Sequence, residues 1–108
     1  MMVEIDLRHA ALERALELLG ALAVETRLRL LLRLAGGERS VCELTPGVGE
    51  QSNVSRHLAR LKELGLVACR VDGPRRMYRV ADPVVPLILM VLGLAPDSPR
   101  IRTDDFEL

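Results

Sequence analysis

Two thiols, two imidazoles and a run of arginines are the groups in this chain that could do chemistry. Cys42 and Cys69 could act as soft ligands or nucleophiles once deprotonated. His9 and His57 lie in distant segments, so with these thiols they do not make up the tetrahedral ligand set that zinc requires. There is no glycine-rich phosphate loop and no nucleophile with a recognisable base and orienter, which sets enzymes aside. The densest grouping is cationic. Residues 51 to 80 carry Arg56, Arg60, Lys62, Arg70, Arg75, Arg76 and Arg79 against only Glu63 and Asp72, a local excess of +5 inside a chain whose net charge is zero. Such a segment suits phosphate contact, whereas the rest of the chain would be repelled by it. A solvated arginine-rich face is the alternative reading.

The element carrying most of these groups must be a helix. In "EQSNVSRHLARLKELGLV" Val54, Leu58, Leu61 and Leu64 recur at steps of four, three and three, one stripe of an amphipathic helix over about 51 to 64. Gly65 stops it. Gln51, Ser52, Asn53, Ser55, Arg56 and His57 are left off the apolar stripe, facing water or a ligand. They offer the donors and acceptors that read base edges, and Arg56 can bond guanine bidentately or clamp a phosphate. His57 either bonds a phosphate or lies on the domain surface.

The remaining elements follow from the same signals. A first helix over about 6 to 20 shows Leu12, Leu16 and Leu19 on one side, and "VETRLRLLLRLAGG" is a second, with the stripe Leu28, Leu31, Leu32 and Ala35. "RSV" reads as a very short strand and "CELTPGV" as a short helix ended by Pro46 and Gly47. After the basic helix comes a hairpin, strand 66 to 71, a turn at Asp72, Gly73 and Pro74, and strand 76 to 80, with Arg75 and Arg76 at its tip. Cys69 alternates with Val67 and Val71 and so reads as a small buried hydrophobe. Asp82 can cap a last helix that tolerates Pro83 and Pro86 in its first turn. The expected fold is therefore mainly α with a small β-hairpin wing, a winged helix-turn-helix of order α-α-β-α-α-β-β-α. It forms one domain over 1–96, and residues 97–108 read as a polar, loose tail.

No charge separates Asp82 from Asp97, so the last helix is apolar all round. It must be buried on more than one side. Either it is the core helix of a monomer, or a second subunit covers Val84, Leu87, Ile88 and Val91 together with Leu12, Leu16 and Leu19. A chain of 108 residues favours the homodimer. The longest uncharged run is shorter than the roughly 20 apolar residues of a membrane span. With few cysteines and no segment that reads as a secretory leader, a cytoplasmic location is expected.

Taken together, "ALAVETRLRLLLRLAGGERSVCEL", "QSNVSRHLARLKELGLV" and "GPRRMYRV" resemble the ArsR/SmtB family of bacterial metal- and thiol-responsive repressors, over roughly residues 12 to 92. The matching residues are Leu22-Ala23, Thr26-Arg27-Leu28, Val41-Cys42-Glu43-Leu44, Val54-Ser55-Arg56-His57-Leu58 and Gly65-Leu66-Val67. The resemblance implies a homodimer on palindromic double-stranded DNA, with the helix at 51 to 64 in the major groove and Arg75 and Arg76 of the wing on phosphates. It also implies the sheet order in which strand 76 to 80 separates the other two strands. That order holds Cys42 and Cys69 too far apart for a disulfide.

The chain departs from the family at its sensor. Where the family's arsenic site has Cys-Val-Cys-Asp-Leu-Cys, this chain has Ser40-Val41-Cys42-Glu43-Leu44-Thr45, and the last helix has no His, Cys or Glu. Cys42 remains as the candidate thiol sensor, with arsenite or another soft metalloid as its ligand, and Cys69 is the weaker candidate. A regulator without metal or thiol sensing and a winged-helix protein-protein module are the alternatives. Between Cys42 and Val54 the chain is also one residue shorter than the family pattern, so Gly49 or Glu50 replaces the usual Ser or Thr helix cap.

Overall fold

The computed structural model describes residues 2–95, with side chains from Leu7 onward; the tail at 97–108 lies outside the described residues. Five helices and three strands run in the order α1 (Met2–Leu22), α2 (Glu25–Leu34), β1 (Arg39–Ser40), α3 (Val41–Leu44), α4 (Gln51–Glu63), β2 (Val67–Asp72), β3 (Arg75–Val80) and α5 (Val84–Val91). The sheet is antiparallel with order β1-β3-β2. This is the winged helix-turn-helix that the sequence leads one to expect.

One core holds these elements together. Leu30, Leu31 and Leu34 of α2 meet Val54, Leu58 and Leu61 of α4, and Leu44, Leu66, Val85 and Leu89 close the remaining sides. The α4 stripe is buried as its spacing requires. The α2 stripe is not the expected one: Leu30 and Leu34 are buried, Leu28 and Leu32 only half-buried, and Ala35 lies exposed beyond the helix end. Six leucines and a valine crowd 22 to 34, so the apolar periodicity there is degenerate, and tertiary packing selects the face.

Local chemistry sets the element ends. Gly65 takes a φ of 73°, and α4 closes in a Schellman motif in which Gly65 N–H donates to the Lys62 carbonyl and Leu66 N–H to that of Leu61. The hairpin turn is tighter than expected: Asp72 pairs with Arg75, leaving only Gly73 and Pro74 between the strands. Gly73 has a φ of 58° and proline follows, the pattern of a type II′ turn. Helix α1 extends beyond the expected 6 to 20 at both ends. Asp82 does cap α5, its Oδ1 accepting from Val84 N–H at 2.9 Å. The alternation that buries Val67 fades along β2: Cys69 is half-buried and Val71 exposed, because the hairpin projects beyond the core.

The short helix α3 carries a reciprocal cap. Ser40 Oγ accepts from Glu43 N–H at 3.2 Å, and Glu43 Oε1 accepts from Ser40 N–H at 3.0 Å. These bonds hold the Glu43 carboxyl below its ordinary range, the Ser40 backbone N–H contributing most. Ser40 is buried, so the hydroxyl has no replacement partner in water. Ser40→Ala is expected to destabilise the fold by about 0.5–2 kcal/mol and Leu58→Ala by about 2–5 kcal/mol. Urea unfolding at constant m-value measures both, and an unmoved midpoint for Ser40→Ala would show that the cap contributes nothing.

Candidate nucleic-acid interface

Helix α4 has one buried stripe and one bare face. Gln51, Ser52, Ser55 and Arg56 are exposed together on the side opposite Val54, Leu58 and Leu61, while Asn53 and His57 sit half-buried on the flank. Its cap residue is Glu50, which makes no side-chain cap hydrogen bond. The first-turn N–H groups are therefore left with no side-chain cap, next to the residues expected to meet DNA. The Arg56 guanidinium donates to Asn53 Oδ1 at 2.6 Å, one turn back on the same helix.

The wing comes up beside this helix. A groove of about 320 Å³ is lined by Ser40, Val41 and Cys42 at the start of α3, Gln51 and Ser55 of α4, and Pro74, Arg75 and Arg76 of the hairpin. Three elements far apart in sequence thus bring Gln51, Ser55, Arg75 and Arg76 around one concavity. Arg75 and Arg76 are exposed. Two of the other cations counted in this segment have partners of their own: Arg60 pairs with Glu63 at 3.2 Å, and Arg70 makes a bidentate pair with Glu38 at 2.7 and 2.9 Å. That pair holds the Glu38 carboxyl below its ordinary range, mainly through the Arg70 hydrogen bond.

The two thiols differ. Cys42 is exposed in the groove. Cys69 is half-buried against the core, faces Tyr78 across the β2–β3 ladder and makes a long contact, 3.9 Å, to the Arg70 carbonyl. Burial first, and Cys69 second, push the Tyr78 phenol up. With β3 between the strands, the sheet order agrees with the expected separation of the two cysteines. Among the described residues no group of three His, Cys, Asp or Glu side chains could hold a metal ion.

Two site-shaping residues escape sequence reasoning. Arg33 of α2 donates to the Leu44 carbonyl at 2.9 Å, fastening α2 to the end of α3 and hence to the turn before α4. Arg27, half-buried near the start of α2, acts electrostatically on His57. Spacing could not flag either one, because both sit among apolar residues on a helix with several arginines.

Residues 25–68 match the family described as bacterial regulatory protein, arsR family. Over 107 residues the chain is 35% identical to the HTH-type transcriptional regulator CmtR of Mycobacterium tuberculosis, covering 93% of this chain and 87% of that one. The chain belongs to the arsR family. It is also 41% identical over 80 residues to a "probable mercury resistance operon repressor" of Streptomyces lividans, covering 72% of this chain but 64% of that protein, less than two thirds of its length. Among solved structures it is similar to the homodimeric winged helix-turn-helix DNA-binding domain of "a possible ArsR-family transcriptional regulator" from Mycobacterium bovis. The TM-score is 0.72 at 32% identity, over 81% of this chain and 82% of that one. These relatives are transcriptional regulators, which accords with the absence of enzyme motifs from the sequence.

The position of His57 makes a measurable difference to this arsR-family fold. Burial, then the cations Arg27 and Arg56, hold its imidazole below the ordinary 6.5. The unfolded chain therefore takes up the proton first as pH falls. Stability from neutral His57 is fully present above about pH 6.5 and is lost as pH drops through the lower folded value. The melting temperature of the DNA-free protein should decline between about pH 7 and pH 5.5, and His57→Gln should flatten that decline. Parallel wild-type and variant curves would assign the decline to other groups.

Proposed function

We propose that this chain is a DNA-binding transcriptional repressor acting in the cytoplasm as a homodimer on a palindromic operator. One observation carries the reading: of the exposed row Gln51, Ser52, Ser55 and Arg56, Gln51 and Ser55 share a groove with the wing cations Arg75 and Arg76, while Ser52 and Arg56 line a second concavity with Glu50 and Asn53. An α-helix fits the major groove, and its first turns reach base edges. Gln51, Ser52, Asn53, Ser55 and Arg56 then read sequence, and the wing arginines hold the backbone without reading it. Family membership and the operon-repressor relative support repression.

Dimerisation rests on apolar surface. Leu12, Leu16 and Leu19 are all more than half exposed, as are Leu87 and Val91, the last at 83%. Val84 and Ile88, also expected at the interface, are half-buried against their own core and can offer only their remaining surface. Arg14 of α1 lies 3.6 Å from Asp82 at the start of α5, so the two helices carrying this surface are linked. A patch of this kind needs a partner, and a second copy with two-fold symmetry supplies one. The homodimeric state of the M. bovis relative supports that assignment.

Release by a thiol-reactive effector would act at Cys42. A multidentate soft-metal site would need more donors than this single exposed sulfur, so arsenite could bind there only through one thiolate. Modification requires only the one sulfur. Its place in the groove with Gln51, Ser55, Arg75 and Arg76 means that any added group occupies space the DNA backbone would need.

Selection of binding duplexes from a random pool should yield an inverted repeat with half-sites about 10–10.5 base pairs apart, or a multiple of that. Gln51→Ala should cost about 1–3 kcal/mol and relax preference at one position, whereas Arg76→Ala should weaken all sequences alike and lower the salt slope. Leu16→Glu should yield monomers by sedimentation. Binding insensitive to salt, or no sequence preference after selection, would overturn the reading. For the effector, iodoacetamide, whose methylene carbon the thiolate attacks with loss of iodide, should abolish DNA binding by wild type and Cys69→Ser but spare Cys42→Ser. Loss of binding in treated Cys42→Ser would remove this residue from the mechanism.

A further inference from the structure

A carboxylate stands where phosphate contact should exclude one. The concavity of about 540 Å³ at the start of α4 is lined by Glu50, Ser52, Asn53 and Arg56. Glu50 is exposed and directly precedes the first residue of the helix. It holds the cap position without capping: its side chain makes no cap hydrogen bond, and among the described residues its carboxyl has no ion pair. Other acids of the domain do have such work. Glu25, Glu38 and Glu63 pair with Arg29, Arg70 and Arg60, and Glu43 completes the α3 box. Arg56 is served by a neutral amide, Asn53 Oδ1 at 2.6 Å, although Glu50 lines the same concavity. The other end of that amide lies over the chain before the helix, the Asn53 nitrogen 3.8 Å from where a side chain at Gly49 would begin.

An unpaired acid on a face that meets DNA weakens binding unless something in the groove compensates it. An ionised carboxylate only accepts hydrogen bonds. Phosphate oxygens are acceptors too, so they repel it. Of the major-groove base edges, guanine presents acceptors and thymine an acceptor and a methyl group, so neither satisfies Glu50. Adenine sets an acceptor beside its amino group. Cytosine offers the amino donor with no acceptor next to it on the same base, and a carboxylate suits it best. The place is also right: the first turn of a recognition helix reaches base edges, and in zinc fingers the residue just before the helix does so as well.

We propose that Glu50 is a specificity-determining residue that accepts a hydrogen bond from the N4 amino group of one cytosine in each half-site. This rests on the DNA-binding reading above and adds to it a residue that acts chiefly by rejection. Guanine, thymine or a misplaced phosphate opposite Glu50 leaves the carboxylate desolvated and unpaired, whereas cytosine alone offsets that loss. Arg56, held back on Asn53, remains free of Glu50 to contact its own base or phosphate.

The test uses the full chain. Duplexes selected from a random pool by wild type should carry one C·G pair per half-site that Glu50→Ala does not select. Glu50→Gln should choose A·T there, since an amide bonds adenine N6 and N7 together. N4-methylcytosine, whose methyl group replaces the groove-facing amino hydrogen, is then placed at each cytosine of the selected operator in turn. At one position it should weaken wild-type binding about 5- to 30-fold and leave Glu50→Ala indifferent. On a random duplex of roughly 30 base pairs, Glu50→Ala should bind about 2- to 5-fold more tightly than wild type, which also shows that the variant folds. The same base choice by wild type and Glu50→Ala, an A·T pair in place of C·G, or equal sensitivity of both proteins to N4-methylcytosine would overturn the cytosine contact alone. A lowered urea midpoint as the only effect of Glu50→Ala would overturn it too, leaving Glu50 a charge that serves the positive end of the helix dipole. No sequence preference by wild type would overturn the DNA reading with it.

Discussion

Helix α4 has to be dry along one stripe and bare along the opposite one, and the rest of the domain satisfies that requirement. Val54, Leu58 and Leu61 are completely buried and Leu64 nearly so. Each such side chain contributes about 1.5–3 kcal/mol through loss of apolar surface to water. Rotating the helix would exchange these residues for Ser52, Ser55 and Arg56. The penalty of burying those groups fixes the angle at which the polar row faces outward. Orientation of the polar face is thus a consequence of core packing.

Position along and around that axis comes from polar ties. Arg33 holds the end of α3 through the Leu44 carbonyl, the Ser40–Glu43 box starts α3, and the Schellman closure at Gly65 delivers the chain into β2. The wing is set by a different device. The Glu38–Arg70 fork spans from the segment before β1 to the far strand β2, across β3, and the tight Gly73–Pro74 turn leaves Arg75 and Arg76 at the tip. Surface ion pairs contribute little individually, but a bidentate arginine fork is directional. Its value here is registration of the wing beside α4.

The parts legible in the sequence are those with a single dominant signal. The α4 stripe has strict spacing around polar neighbours, so both the helix and its bare face follow from it, and Gly65 marks its end. Gly73-Pro74 marks the hairpin, although the turn takes two residues where three look available, because the Asp72–Arg75 pair continues the ladder. The face of α2 is not legible, since leucine occupies nearly every phase of its period. Cys69 follows the alternation of β2 only as far as the core extends, and Val71 beyond it has no layer to enter. Arg27 and Arg33 are invisible as site-shaping residues because their roles depend on which carbonyl or imidazole the tertiary fold places next to them.

The charge distribution has a further consequence. A chain with no net charge carries a cationic face, and the acids that balance it are not spread evenly over that face. Some neutralise cations one by one, as Glu38 does Arg70 and Glu63 does Arg60. Arg56, Arg75 and Arg76, all exposed, have no carboxylate at salt-bridge distance among the described residues. A carboxylate paired with them would cancel their charge and repel a phosphate. Apart from Glu50, the acids that remain on this face are thus engaged with cations that register the wing or lie further along α4, and the cations at the groove keep their charge, which is how a chain of zero net charge can present a locally cationic surface.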